Sequence, residues 1–164
     1  MKKLLIFTLL NCLFLGLSLG QEQAYQIYNK DGDKISYTTM AFEAKKADVV
    51  LFGENHNDPI SHWLQLELTK SLHEKHGKNL MLGAEMLEAD NQVILDEYLL
   101  GFSREEDFEK EAKIWPNHKT DYRPLVRFAK DNNLHFVATN IPRRFANMVY
   151  RFGLDTLVFL PEAS

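Results

Sequence analysis

Apolar residues fall into short dense runs, separated by stretches where they recur every three or four positions. The runs 49–52, 80–84 and 134–139 are rich in β-branched, leucine and aromatic side chains. Each reads as a strand covered on both faces. Between them lie helical patterns. Over 58–75, Ile60, Leu64, Leu68 and Leu72 repeat every four residues with Trp63 beside the stripe, which predicts an amphipathic helix. Asp58 caps it, Pro59 suits its first turn and Gly77 stops it. Further helices are predicted over 90–100, from Ser103 through Glu105 and Glu106, from Tyr122 or Pro124 to Lys130, and from Pro142 to about Arg151. Nearer the N-terminus, 25–28 and 35–37 flank a turn containing Asp31-Gly32, which predicts a β-hairpin. A short helix capped by Thr38 or Thr39 and running to Lys46 follows it.

Strands alternating with helices predict an α/β fold, a parallel sheet flanked by helices, with an N-terminal β-hairpin. Three parallel strands leave an open edge. Another apolar run begins at Leu157, so the expectation is an incomplete domain or a natural short form.

The first twenty residues stand apart. Lys2 and Lys3 precede an apolar stretch from Leu4 to Leu19, and Ser18-Leu19-Gly20 supplies small residues at a cleavage site. That is the anatomy of a secretory signal peptide, too short for a usual membrane span. The expected organisation is therefore a leader over 1–20 and one α/β domain over 21–164. Cleavage removes Cys12, the one cysteine, and so leaves no disulfide or thiolate chemistry. Asn11 before Cys12 argues against a lipidation signal there. A net charge of −4 gives no reason to expect nucleic acid.

Candidate chemistry gathers where strands end. Glu54, Glu85 and Asn140 are each the first strongly polar residue after an apolar run, and parallel strands would bring them to one sheet edge with His56 beside them. Glu54, His56 and Glu85 are a donor set for a divalent metal ion, or for acid–base work. His62 either faces the same cleft or lies at the surface, and His118 reads as solvated. Arg143 and Arg144 sit at a helix N-terminus, where positive charge opposes the dipole, which points to an anion or carboxylate such as Glu85 or a propionate. Phenolate is a haem-iron ligand, which makes Tyr98, Tyr122 and Tyr150 candidates, each against the alternative of a core aromatic. No CxxCH motif is present for covalent haem.

These residues carry a resemblance. Leu51-Phe52-Gly53-Glu54-Asn55-His56-Asn57 with His62, Ala84-Glu85-Met86 with Gln92, Tyr122-Arg123-Pro124-Leu125, and Ala138-Thr139-Asn140-Ile141-Pro142-Arg143 together resemble the ChaN-like haem-binding lipoproteins. The resemblance implies an exported α/β protein of haem or iron uptake, in the periplasm or at the outer membrane. It implies haem in a pocket between two subunits of a homodimer, with a tyrosine ligand and basic side chains on the propionates. A wider Tiki-like superfamily includes metal-dependent hydrolases whose pattern Glu54, His56 and Glu85 match, which sets a metal ion and hydrolysis as the alternative. The carrier reading, without catalysis, leads. Members of the family are longer than this chain, and the lipid anchor lacks its sequence signal here.

Overall fold

The computed structural model describes residues 24–160. The predicted leader lies outside the described residues. Two compact units divide at Met40. In the first, β1 (Ile27–Tyr28) and β2 (Lys34–Ile35) pair antiparallel, Ile27 opposite Ile35. The Asn29 side chain holds the turn, its Oδ1 accepting from the Asp31 and Asp33 amides at 3.0 and 2.8 Å. Gly32 has a φ of +86°, a conformation glycine adopts without strain. Helix α1 (Tyr37–Ala44) begins two residues earlier than a cap at Thr38 would place it. Ser36 is its cap, accepting from the Thr39 amide at 3.0 Å.

The second unit carries the site. Helix α2 (Pro59–His76) starts where the sequence predicts: Asp58 accepts the Ile60 amide at 3.0 Å, and Pro59 occupies the first turn. Those amide and Ser61 hydroxyl bonds hold the Asp58 carboxyl below the usual carboxylate range. Strand β3 (Met81–Glu88), α3 (Gln92–Leu99), α4 (Glu105–Glu111), α5 (Arg123–Asp131), β4 (His135–Asn140) and α6 (Arg143–Phe152) follow, and a 3-10 segment (Leu154–Phe159) ends the described chain. A π-helical turn (His118–Tyr122) precedes α5 where the sequence reads as loop running into helix.

Strands β3 and β4 pair in parallel, Leu82 opposite Phe136 and Ala84 opposite Ala138. Register then breaks, for the next pair is Glu88 with Asn140. Up to Ala84, side chains alternate between the two faces; beyond the break Met86, Leu87 and Glu88 are all buried. The inner face meets α3, α4 and α5 in a core of Leu87, Leu95, Tyr98, Phe108, Val126, Ala129 and Phe136. The outer face, with Met81, Gly83, Glu85, His135, Val137 and Thr139, is exposed. A Cβ at Gly83 would sit 3.0 Å from the Thr139 methyl, so a larger residue there would make that side chain shift.

One expected strand is not formed. Residues 49–52 run without regular structure, and Val49 and Leu51 are 73% and 91% exposed. An apolar run becomes a strand only when a neighbour satisfies its backbone. Among the described residues β3 pairs with β4 alone, and 49–52 has no ladder partner.

The other edge of β4 is held by a side chain. Gln92 donates to the Phe136 carbonyl at 3.0 Å and accepts from the Ala138 amide at 2.7 Å, so its amide stands in for a neighbouring strand. Gln92→Ala removes both partners at once. The expected loss is ~1–3 kcal/mol, from backbone groups left without hydrogen bonds, measured by urea denaturation. A change within experimental error would mean that β4 does not depend on this clamp.

Glu105 ties α4 to α5 with two bonds of 2.6 Å from Arg127. This bidentate pairing, with the Tyr98 hydroxyl as a further donor, pulls the Glu105 carboxyl down to about 2. Because the folded value lies below the unfolded one, its stabilisation is full above the ordinary carboxylate range. It is lost as the pH falls toward 2. Arg127→Ala should therefore flatten the acid side of the stability profile, read as the urea midpoint against pH. An unchanged profile would remove Glu105 from the account.

Candidate functional site

Gly53 to Asp58 bring Glu54 and His56 against α2 and the π-helical turn. One carboxylate organises the cluster. Glu54 Oε1 accepts from the Tyr122 hydroxyl at 2.6 Å and lies 3.2 Å from His56 Nδ1. Glu54 Oε2 lies 3.2 Å from His62 Nδ1. The His56 carbonyl accepts from His62 Nε2 at 3.1 Å and from Asn117 Nδ2 at 2.6 Å. Asn117 also donates to Asp121 at 2.8 Å, and Asp121 stands 3.7 Å from His62 Nε2. Trp115 meets the His56 and Tyr122 rings edge-on, and Tyr122 meets His62 the same way.

His56 donates Nδ1–H to Glu54, which turns Nε2 away from the carboxylate on a ring that remains half exposed. A carboxylate that fixes the tautomer and aim of an imidazole in this way prepares it as a base or a metal ligand. His62 is 4% exposed rather than at the surface. His118 is buried too, 2% exposed against Phe108 and near Glu109, and its burial pushes the imidazole below its ordinary value.

Glu85 lies within β3 rather than at its end, on the exposed outer face, and it makes no hydrogen bond or ion pair among the described residues. The break in register carries Glu88 inward instead. Glu88 accepts the Arg143 amide at 3.0 Å and so caps α6, while Arg144 pairs with Asp90. The carboxylates facing the two arginines are thus Glu88 and Asp90. Asn140 is half-buried at the end of β4, opposite Glu88. No three His, Cys, Asp or Glu side chains among the described residues converge as a metal cage.

The three tyrosines separate sharply. Tyr98 is buried, stacks on Phe108 and donates to Glu105 at 2.9 Å; burial, then Glu105, push its hydroxyl up to about 12. Tyr122 is wholly buried, and desolvation with the Glu54 bond raises it further. In both, the environment opposes the phenolate that an iron ligand must become. Tyr150 stands on α6, 91% exposed.

A small parallel sheet backed by helices, with a carboxylate–imidazole cluster beside α2, defines an α/β protein with a candidate site at one end of its sheet. Residues 40–164 match the model of the family described as haem-binding uptake, Tiki superfamily, ChaN. The chain belongs to that family. Its fold is similar to a solved structure of ChaN of Campylobacter jejuni with cofacial haem binding, at a TM-score of 0.64 and 20% identity. The likeness covers 81% of this chain and 56% of that one, so this chain spans little more than half of its length. No curated protein matches in sequence.

Proposed function

We propose that this chain binds haem in uptake, with Tyr150 as the iron ligand and Arg143 on a propionate. The family supports haem as the cofactor. The observation that carries the residue choice is exposure: of the three candidate tyrosines, only Tyr150 presents its hydroxyl outward. Arg143 lies seven residues before it on α6, two helical turns and about 10.5 Å along the same face. Its guanidinium is largely exposed, 4.0 Å from Glu88. Phe152, Leu154, Val158 and Phe159 add exposed apolar surface beyond the tyrosine, and α6 buries none of its residues. A flat apolar ring with two carboxylates fits such a surface: tyrosinate would supply the iron bond, arginine the charge pairing and the apolar side chains the contact area.

In this reading the haem lies between two copies of the chain, exported to the periplasm or outer membrane, and the apolar surface around Tyr150 is shared by the dimer. The test is a haem titration of residues 21–164 followed by absorbance and sedimentation. A saturable Soret shift with a monomer-to-dimer change is expected, and no shift would sink the reading. Hydrolysis by Glu54, His56 and Glu85 takes second place. The contact between Glu54 and His56 favours it, but Glu85 bonds to neither.

A further inference from the structure

Where the chain enters α5, Lys119, Arg123 and Arg127 recur every four residues, and with Lys70 of α2 they line one cavity of about 320 Å³. Among the described residues that lining holds a single acid, Asp131. The chain as a whole carries −4, so four cations around one space run against its overall charge. Leu66, Pro124 and Phe128 complete the lining and give it an apolar part. Lysine and arginine stay charged throughout the physiological range, so the character of this cavity does not depend on pH there.

Carboxylates outside the cavity hold these cations in place. Arg127 gives Nε and Nη2 to Glu105, and Arg123 gives Nη1 to Glu105 and Glu109 at 3.4 and 3.3 Å. Lys119 stands 3.7 Å from Glu109, and Lys70 pairs with Glu67 on its own helix. None of these three glutamates is part of the lining. They fix the side chains without filling the space in front of them. Arg123 in particular keeps Nε and Nη2 without a hydrogen bond among the described residues.

We propose that this cavity between α2 and α5 binds a small organic dianion, an apolar body that carries carboxylates or a phosphate group. The arginine fork matches either group in geometry, and the lysines add charge. Leu66, Pro124 and Phe128 take the body of the ligand out of water. The volume is at the small end of ligand pockets, which start at about 300 Å³, and so suits a compact molecule. This site shares no residue with Tyr150 and Arg143, and it does not rest on the haem reading.

The probes are phenyl phosphate and phthalate, titrated by calorimetry into the full haem-free chain, with inorganic phosphate for comparison. One equivalent of at least one aromatic dianion should bind, and more tightly than inorganic phosphate. The tighter of the two tells a phosphate site from a carboxylate site. Arg123→Gln should weaken binding at least about tenfold, the worth of a hydrogen bond to a charged group. Lys30→Gln, the same loss of charge on the exposed hairpin, should leave it unchanged. Circular dichroism checks that each variant folds. Amide NMR of the wild-type chain, which needs no variant, should place the ligand-induced shifts on Leu66, Lys70, Lys119 and Phe128. The proposal is overturned if neither dianion binds saturably, or if inorganic phosphate binds as tightly as both. Equal weakening by the two substitutions, or shifts centred elsewhere, would also overturn it.

Discussion

Tyr150→Phe should weaken haem binding by at least about tenfold, roughly 1.4 kcal/mol, while leaving the stability of the chain unchanged. The substitution deletes one hydroxyl from a side chain that is almost fully exposed and has no hydrogen-bond partner among the described residues. Surface changes of this kind shift stability by no more than about 0.5 kcal/mol. All of the effect should therefore fall on the iron bond, seen as loss of the tyrosinate charge-transfer band and a weaker Soret titration. Tyr98→Phe and Tyr122→Phe should behave oppositely. They break buried bonds to Glu105 and Glu54, lower the denaturation midpoint and spare the spectrum. Unchanged haem affinity in Tyr150→Phe would remove this residue as the ligand, wherever haem then proved to bind.

Phe136→Ala should cost ~3–5 kcal/mol, the largest stability loss expected from a single change in this core. Phe136 is the second residue of β4, pairs with Leu82 across the sheet and is buried in the same core as Leu95, Tyr98 and Val126. Truncation removes the ring's transfer energy and leaves a cavity that the helices can only partly fill. Its carbonyl is also the one that Gln92 clamps, so any collapse of the strand would strain that bond. Guanidinium denaturation of the two chains side by side gives the difference. A loss under about 1 kcal/mol would mean that the inner face is loosely packed.

What was legible in the sequence was mostly local. Asp58, Pro59 and Gly77 mark the ends of α2, because caps and breakers act within one turn. β3 and β4 were legible as dense apolar runs between helical patterns. The run 49–52 looks the same by composition, but a strand needs a neighbour to hydrogen-bond with, and composition does not say whether one is present. At the site, Glu54 and His56 were legible together because they are two residues apart. Tyr122 was not legible as the carboxylate's partner, since it lies 68 positions away along the chain. The burial of His62 and His118 was not legible for a related reason. A histidine is buried when distant groups answer it, and Glu54, Asp121 and Glu109 come from other segments.

The break in register between Ala84 and Glu88 fixes how far β3 can slide along β4. Sliding by one residue would turn every side chain to the wrong face, a cost common to all half-covered strands. Sliding by two would keep the faces correct, and the apolar pattern alone would tolerate it. In this chain it would also pull Glu88 away from the Arg143 amide and leave the start of α6 uncapped. The alignment of the two strands is thus read twice, once by hydrophobicity and once by a single carboxylate acting as a stop. Any insertion or deletion in the segment 84–88 would therefore be felt at α6, the helix that carries Tyr150.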